Sequence, residues 1–182
     1  MVYVALLRGI NVGGNSIVSM QLLREAIQKA GMQNVTTYIN SGNVIFESDE
    51  QPVSQLAAKI EKIIQEAFGL TVMVLVLTAP DILRLAKALP ADWTNDTSMK
   101  CDVLFLHDAI NTPDIIEKMN PKPEIDRAQY EPGALFWSID RHLATKSSLY
   151  KIVGTGLYKQ MTVRNCNTLR KLATLVEQRL HA

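Results

Sequence analysis

Val2-Tyr3-Val4-Ala5-Leu6-Leu7-Arg8-Gly9-Ile10-Asn11-Val12-Gly13-Gly14-Asn15-Ser16 begins as an unbroken apolar run and passes directly into a polar loop with three glycines. Val2 to Leu7 is apolar without alternation, which predicts a central strand covered on both faces. Its end delivers Arg8. Glycine tolerates positive φ, and successive left-handed residues let backbone N–H groups converge into a small anion-binding concavity. Gly9 and Gly14 have the spacing of a Walker A loop and Ser16 stands in its hydroxyl position, but Asn15 stands where the lysine belongs. An amide cannot neutralise phosphate charge, and the next strand ends in Asn40 rather than a magnesium-binding aspartate, so nucleotide hydrolysis is disfavoured. The plainer reading is a glycine-rich turn with Asn11 and Asn15 as turn formers.

Outward from this loop, Ser19 is an N-cap candidate for a helix over Met20 to Ala30, with Leu22, Leu23, Ala26, Ile27 and Ala30 as its apolar stripe and Gly31 as its stop. Val35 to Ile39 and Val44 to Phe46 are short strand-forming runs around Asn40-Ser41-Gly42-Asn43, a hairpin signal. Pro52 to Phe68 is a second helix ended by Gly69, and Thr71 to Leu77 a further strand. The order βαββαβ is that of a ferredoxin-like unit. In its antiparallel sheet the end of the first strand and the start of the third share one edge, so Arg8, Asn11, Ser41 and Asn43 should converge there.

After a helix from Pro80 to Leu89 and a polar connector, the pattern returns. Strand 102–106, helix 113–119, strands 127–130 and 135–139 around Glu131-Pro132-Gly133, helix 148–153 and the extended piece 161–164 form a second, degenerate βαββαβ unit. A helix from Thr168 to Leu180 closes the chain, with Asn165 or Asn167 as its cap. The expected fold class is therefore α+β: two ferredoxin-like units with antiparallel sheets, residues 1–78 and 79–182, and a C-terminal helix.

The 182 residues are 47% hydrophobic and 20% charged, an ordinary globular composition. No apolar run approaches the roughly eighteen residues of a membrane span and no signal peptide is legible, so a cytoplasmic protein is expected. Net charge is only +1, yet residues 141–182 hold eight Lys and Arg against the single acid Glu177, leaving the rest of the chain at −6. Such asymmetry hints at an anionic partner, or equally at a basic tail balancing an acidic body. Cys101 and Cys166 are far apart, with no histidine at ligand spacing, so neither a metal site nor a disulfide framework is indicated. Ser148-Leu149-Tyr150-Lys151 matches S-x-x-K by chance, since the partner motifs of serine acyl enzymes are absent. Oligomeric state is not legible, and no cofactor is named by any motif.

Leu6-Leu7-Arg8-Gly9-Ile10-Asn11-Val12-Gly13-Gly14, Thr37-Tyr38-Ile39-Asn40-Ser41-Gly42-Asn43-Val44-Ile45-Phe46 and Thr162-Val163-Arg164-Asn165-Cys166-Asn167-Thr168 together resemble a bacterial family catalogued as domain of unknown function 1697. The resemblance implies a duplicated ferredoxin-like α+β fold and carries no established activity. Two positions depart from it: members often have lysine where Asn15 stands and tryptophan where Cys166 stands. The resemblance also groups the third motif with the first two. Arg164, Asn165 and Asn167 lie at the start of the last helix, where the helix dipole favours anions. The candidate site is thus Arg8, Asn11, Gly13, Gly14, Ser41, Asn43, Arg164, Asn165 and Asn167. Arginines and amides without a base or nucleophile suit recognition of a phosphate- or carboxylate-bearing small ligand, or of nucleic acid through the basic tail. An enzyme whose catalytic groups meet only in the fold, and an interaction module with purely structural motifs, are the alternatives.

Overall fold

The computed structural model describes residues 1–13, 16–49 and 52–181. The chain divides into two compact units, Met1–Ile82 with Thr174–Ala182, and Leu83–Ala173. The first contains β1 (Val2–Leu7), α1 (Met20–Lys29), β2 (Gln33–Tyr38), β3 (Asn43–Glu47), α2 (Val53–Phe68) and β4 (Val74–Thr78), followed by the start of α3 (Ala79–Ala88). Its four strands form an antiparallel sheet in the order β2-β3-β1-β4. That order makes the first and third strands neighbours, as the sequence pattern implied.

Alternation along the strands selects what the helices cover. Tyr3, Ala5 and Leu7 pack with Val44, Phe46, Val74 and Val76 against Leu23 and Ile27 of α1 and Leu56, Ile60 and Ile64 of α2. Tyr3 and Phe46, partners in the β1–β3 register, stack with ring centroids 5.6 Å apart. Val2, Val4 and Leu6 on the opposite face are buried as well, so β1 is apolar throughout for a reason. The helices are narrower than their apolar stripes suggested. Leu22 is 55% exposed, because α1 meets the sheet along the line of Leu23 and Ile27. Pro52 is the extended N-cap of α2 rather than its first helical residue, and Gly69 ends that helix at φ 67°.

The second unit contains β5 (Met99–Leu106), α4 (Ile115–Met119), β6 (Asp126–Glu131), β7 (Ala134–Asp140), α5 (Ser148–Ile152), α6 (Gly156–Lys159) and β8 (Met161–Asn165) and leads into α7 (Cys166–Leu180). Its sheet has the order β6-β7-β5-β8, so each strand occupies the position of its counterpart in the first unit. The helices are shorter here, and the crossover before β8 is shared among the 3₁₀ turn Arg141–Lys146, α5 and α6. Leu104, Leu106, Leu135, Trp137, Ile139 and Met161 form the core with Ile115, Met119 and Leu149. Among the described residues no helix is long and apolar enough to cross a membrane.

A buried carboxylate fixes that crossover. Asp126, 5% exposed, accepts from Trp137 Nε1 at 3.2 Å, Ser147 Oγ at 2.5 Å, Ser148 N at 3.1 Å and Lys122 N at 2.9 Å. Burial works against its charge, yet these donors together hold the carboxyl below its ordinary value. A folded-state pKa below the unfolded one contributes stability that is present above about pH 4, the unfolded value, and is lost as pH falls through the folded value. Asp126→Ala should cost about 3 kcal/mol or more in urea unfolding near neutral pH, because four donors lose their acceptor. The difference between mutant and wild type should shrink as pH is lowered below about 4.

Candidate functional site

The antiparallel pairing of β1 with β3 and β4 brings three connections to one end of the first sheet. Leu7 N donates to Gly42 O at 2.8 Å and Arg8 N to Met73 O at 2.9 Å, so the chain leaving β1 is held by both neighbouring loops. Asn11 then ties the assembly together. Its Nδ2 donates to Val18 O and to Asn40 O, each at 2.9 Å, while its Oδ1 accepts from Val18 N at 2.8 Å. One side chain thereby closes the β1–α1 loop on itself and fastens it to the β2–β3 turn. Asn11 itself stands at φ 53°, a left-handed conformation that asparagine tolerates better than most residues.

The turn is fixed by similar means. Asn43 is fully buried, and its Nδ2 donates to Tyr38 O at 2.9 Å and to Ser41 Oγ at 3.2 Å. Gly42 has φ 80°, and a Cβ placed there would lie 2.7 Å from Ile10 Cδ1 and 2.8 Å from Leu7 Cβ. Glycine is required on both counts: conformation and space. The amides of Asn11 and Asn43, expected as ligand groups, are thus occupied by the frame.

What the frame presents is Arg8 and a run of left-handed backbone. Arg8 is half-buried, Gly9 and Gly13 are exposed, and the left-handed φ values are 72° at Gly9, 53° at Asn11, 62° at Gly13 and 51° at Ser16. Neither Gly9 N nor Gly13 N donates a hydrogen bond among the described residues. Gly14 lies outside the described residues.

Arg164, Asn165 and Asn167 belong to the second unit, at the junction of β8 and α7. Asn165 Oδ1 accepts from Thr168 N at 2.9 Å and Thr168 Oγ1 at 3.2 Å, making it the cap that starts the helix two residues earlier than the sequence pattern placed it. Asn167 Nδ2 donates to Asn95 O at 3.1 Å and Arg170 Nη2 to Pro90 O at 2.9 Å, so the helix end holds the connector before β5. Within the connector, Asp96 accepts from Thr94 Oγ1, Met99 N and Ser98, which keep its carboxyl well below the usual range. Arg164 is 8% exposed and donates to Val163 O at 2.9 Å. Burial pushes its guanidinium down to about 10, leaving it charged at neutral pH.

A family model described as "Protein of unknown function (DUF1697)" matches residues 1–136. The chain belongs to that family. The match takes in both motifs of the first unit. Among solved structures, the chain is similar to the conserved bacterial protein SP0830 from Streptococcus pneumoniae, at 27% sequence identity and a TM-score of 0.81. The likeness covers 96% of this chain and 98% of that one. No curated protein matches the chain.

Two features escaped the sequence pattern. An open groove of about 410 Å³ in the second unit is lined by Lys118, Lys122 and Lys151 together with Glu124 and Ser148. Lys118 pairs with Asp114 at 2.8 Å and Lys122 Nζ is bonded to Lys146 O, which tempers the charge of this groove. The second is the proximity of two fully buried thiols, those of Cys101 and Cys166. Among the described residues no group of three or more His, Cys, Asp or Glu side chains is arranged to hold a metal ion.

Asn11→Ala removes three hydrogen bonds from the junction of two loops and should cost about 2–3 kcal/mol in chemical unfolding. Gly42→Ala should cost about 2 kcal/mol or more, from strain at positive φ together with the overlap on Ile10. Equality of either mutant with wild type would contradict the framing role of these residues.

Proposed function

We propose that this family member is a binding protein for a small phosphate- or carboxylate-bearing anion, held by Arg8 and by backbone N–H groups of the β1–α1 loop. The observation that carries the reading is the bracing of that loop by Asn11, which leaves a cation beside exposed left-handed glycines. Left-handed residues alternating along a loop turn N–H groups toward one side, and such a nest favours an anion. A guanidinium adds a charge-assisted, two-pronged donor suited to carboxylate or phosphate. The first turn of α1 carries no acidic residue that would repel the ligand. The hydrogen bonds of Asn11 to Val18 and Asn40 hold these loop residues before the ligand arrives, which limits the ordering entropy lost on binding. Asn11, Ser41 and Asn43 then serve as supports of the site. Asn165 as the cap of α7 and Asn167 as a latch on the connector then serve structure, and Arg164 is buried in β8 next to them.

Thermal denaturation of wild type and Arg8→Ala, with inorganic phosphate, nucleotides and di- and tricarboxylates, tests this. Wild type should be stabilised by at least one such anion, in proportion to the logarithm of its concentration. Arg8→Ala should lie within about 1 kcal/mol of wild type without ligand and lose that stabilisation. An unresponsive wild type, an equal response in the mutant, or a loss of about 3 kcal/mol or more from the substitution alone would refute the reading.

A further inference from the structure

Cys101 in β5 lies near Cys166, the first residue of α7, although 65 positions separate them in sequence. β5 and β8 pair Val103 with Arg164 and Asp102 with Asn165, and the residues one step beyond this last pair are Cys101 and Cys166, the latter the first residue of α7. Facing residues of an antiparallel pair such as Asp102 and Asn165 have Cα atoms roughly 4.5–5.5 Å apart, so the cysteines one step beyond them approach the span of about 4.4–6.8 Å that a disulfide bridges. Both cysteines are reduced and fully buried. On the other side of Cys101 in the sheet, its register partner Ser138 is buried with a hydroxyl that has no hydrogen-bond partner. Facing residues of a pair share one side of the sheet, so this polar group lies beside the Cys101 thiol.

The two sulfurs have unequal surroundings. Arg170 Nη1 lies 3.5 Å from Cys166 Sγ, and Cys166 occupies the N-terminal turn of a helix of 15 residues, where a negative charge is favoured. The neighbouring Cys101 thiol chiefly, and Arg170 in addition, bring Cys166 down to about 7 against the opposing effects of burial and Asp102. The neighbouring Cys166, with burial, pushes Cys101 far up. Arg170 and the helix start thus favour Cys166 as the thiolate, while burial favours Cys101 as the neutral thiol.

We propose that Cys101 and Cys166 constitute a peroxide-oxidisable dithiol, with Cys166 the attacking sulfur and Cys101 the resolving one. The Cys166 thiolate attacks one oxygen of hydrogen peroxide, forming an S–O bond as the O–O bond breaks and hydroxide leaves to be protonated. Cys101, giving its proton to the departing oxygen, attacks the Cys166 sulfenic acid, forming the S–S bond and releasing water. Two thiols and one peroxide become one disulfide and two waters, the sulfurs losing the two electrons that the peroxide gains. Burial selects an oxidant close to water in size, admitted by local opening of the structure. The product ties β5 directly to the start of α7 and withdraws the sulfur partner of Arg170. The Pro90–Ser98 connector rests on that turn through Arg170 and Asn167, and Trp93 O lies 3.7 Å from Cys166 Sγ. Oxidation therefore reshapes the support of this connector.

The test treats the full folded chain with hydrogen peroxide, then alkylates it under denaturing conditions and measures intact and peptide masses. The alkylatable thiols of wild type should fall from two to none, the chain should lose the mass of two hydrogens, and a linked Cys101–Cys166 peptide should appear that dithiothreitol reverses. Cys101→Ser should yield a dimedone-trapped sulfenic acid at Cys166, whereas Cys166→Ser should leave Cys101 unlabelled. Retention of both thiols, separate over-oxidation, or linkage between chains would overturn the proposal. Equal dimedone labelling of the two variants would overturn the assignment of roles. The wild-type measurement stands by itself where a variant fails to fold.

Discussion

The side-chain amide of Asn11 is the constraint on which the polar end of the first sheet depends. A loop that turns repeatedly through left-handed conformations has few internal hydrogen bonds of its own, and would otherwise be an ensemble. By donating to Val18 O and Asn40 O while accepting from Val18 N, Asn11 satisfies loop backbone on both sides. It also joins that backbone to a second turn, itself tightened by Asn43 and by the close fit of Gly42 against Ile10. Leu7 and Arg8 extend the same join through their main-chain amides. The stability of the loop is therefore borrowed from the sheet.

This division of labour changes how the family motifs read. The asparagines recur as builders: Asn11 and Asn43 in the first unit, Asn165 and Asn167 in the second, each with its side chain on backbone or on a capped helix turn. An amide that already makes two or three well-formed bonds has little capacity left for a ligand. In the proposed anion site, recognition would fall to Arg8 and main-chain N–H groups, which is how small anions are commonly held.

Much of the fold was legible because burial leaves a periodic mark. Val2–Leu7, apolar on both faces, the hairpin around Ser41-Gly42 and the return of the same element order after residue 98 were enough to give two antiparallel sheets of like order. The helix faces were less legible: Leu22 is as apolar as Leu23 but lies off the contact line. Residue type also could not separate a bracing amide from a ligand-binding one, since both need the same donor and acceptor. The cysteine pair was hidden for another reason. The β5–β8 register, which ends one residue before them, brings Cys101 and Cys166 near one another, and register is a long-range property that no local spacing encodes. The buried Asp126 was equally silent, its partners Lys122, Trp137, Ser147 and Ser148 being scattered over two connections and a strand.

The central claim is that a braced loop offers its backbone N–H groups and Arg8 to an anion. Titration of the ¹⁵N-labelled chain with inorganic phosphate, followed residue by residue in ¹H–¹⁵N correlation spectra, measures this directly. The account predicts saturable shifts at Gly9, Ile10, Val12 and Gly13 and at the Arg8 side-chain Nε, with Val18 and Asn43 little moved because their bonds belong to the frame. Shifts confined to the lysine-lined groove of Lys118, Lys122 and Lys151, or a loop that does not respond at any phosphate concentration, would contradict it.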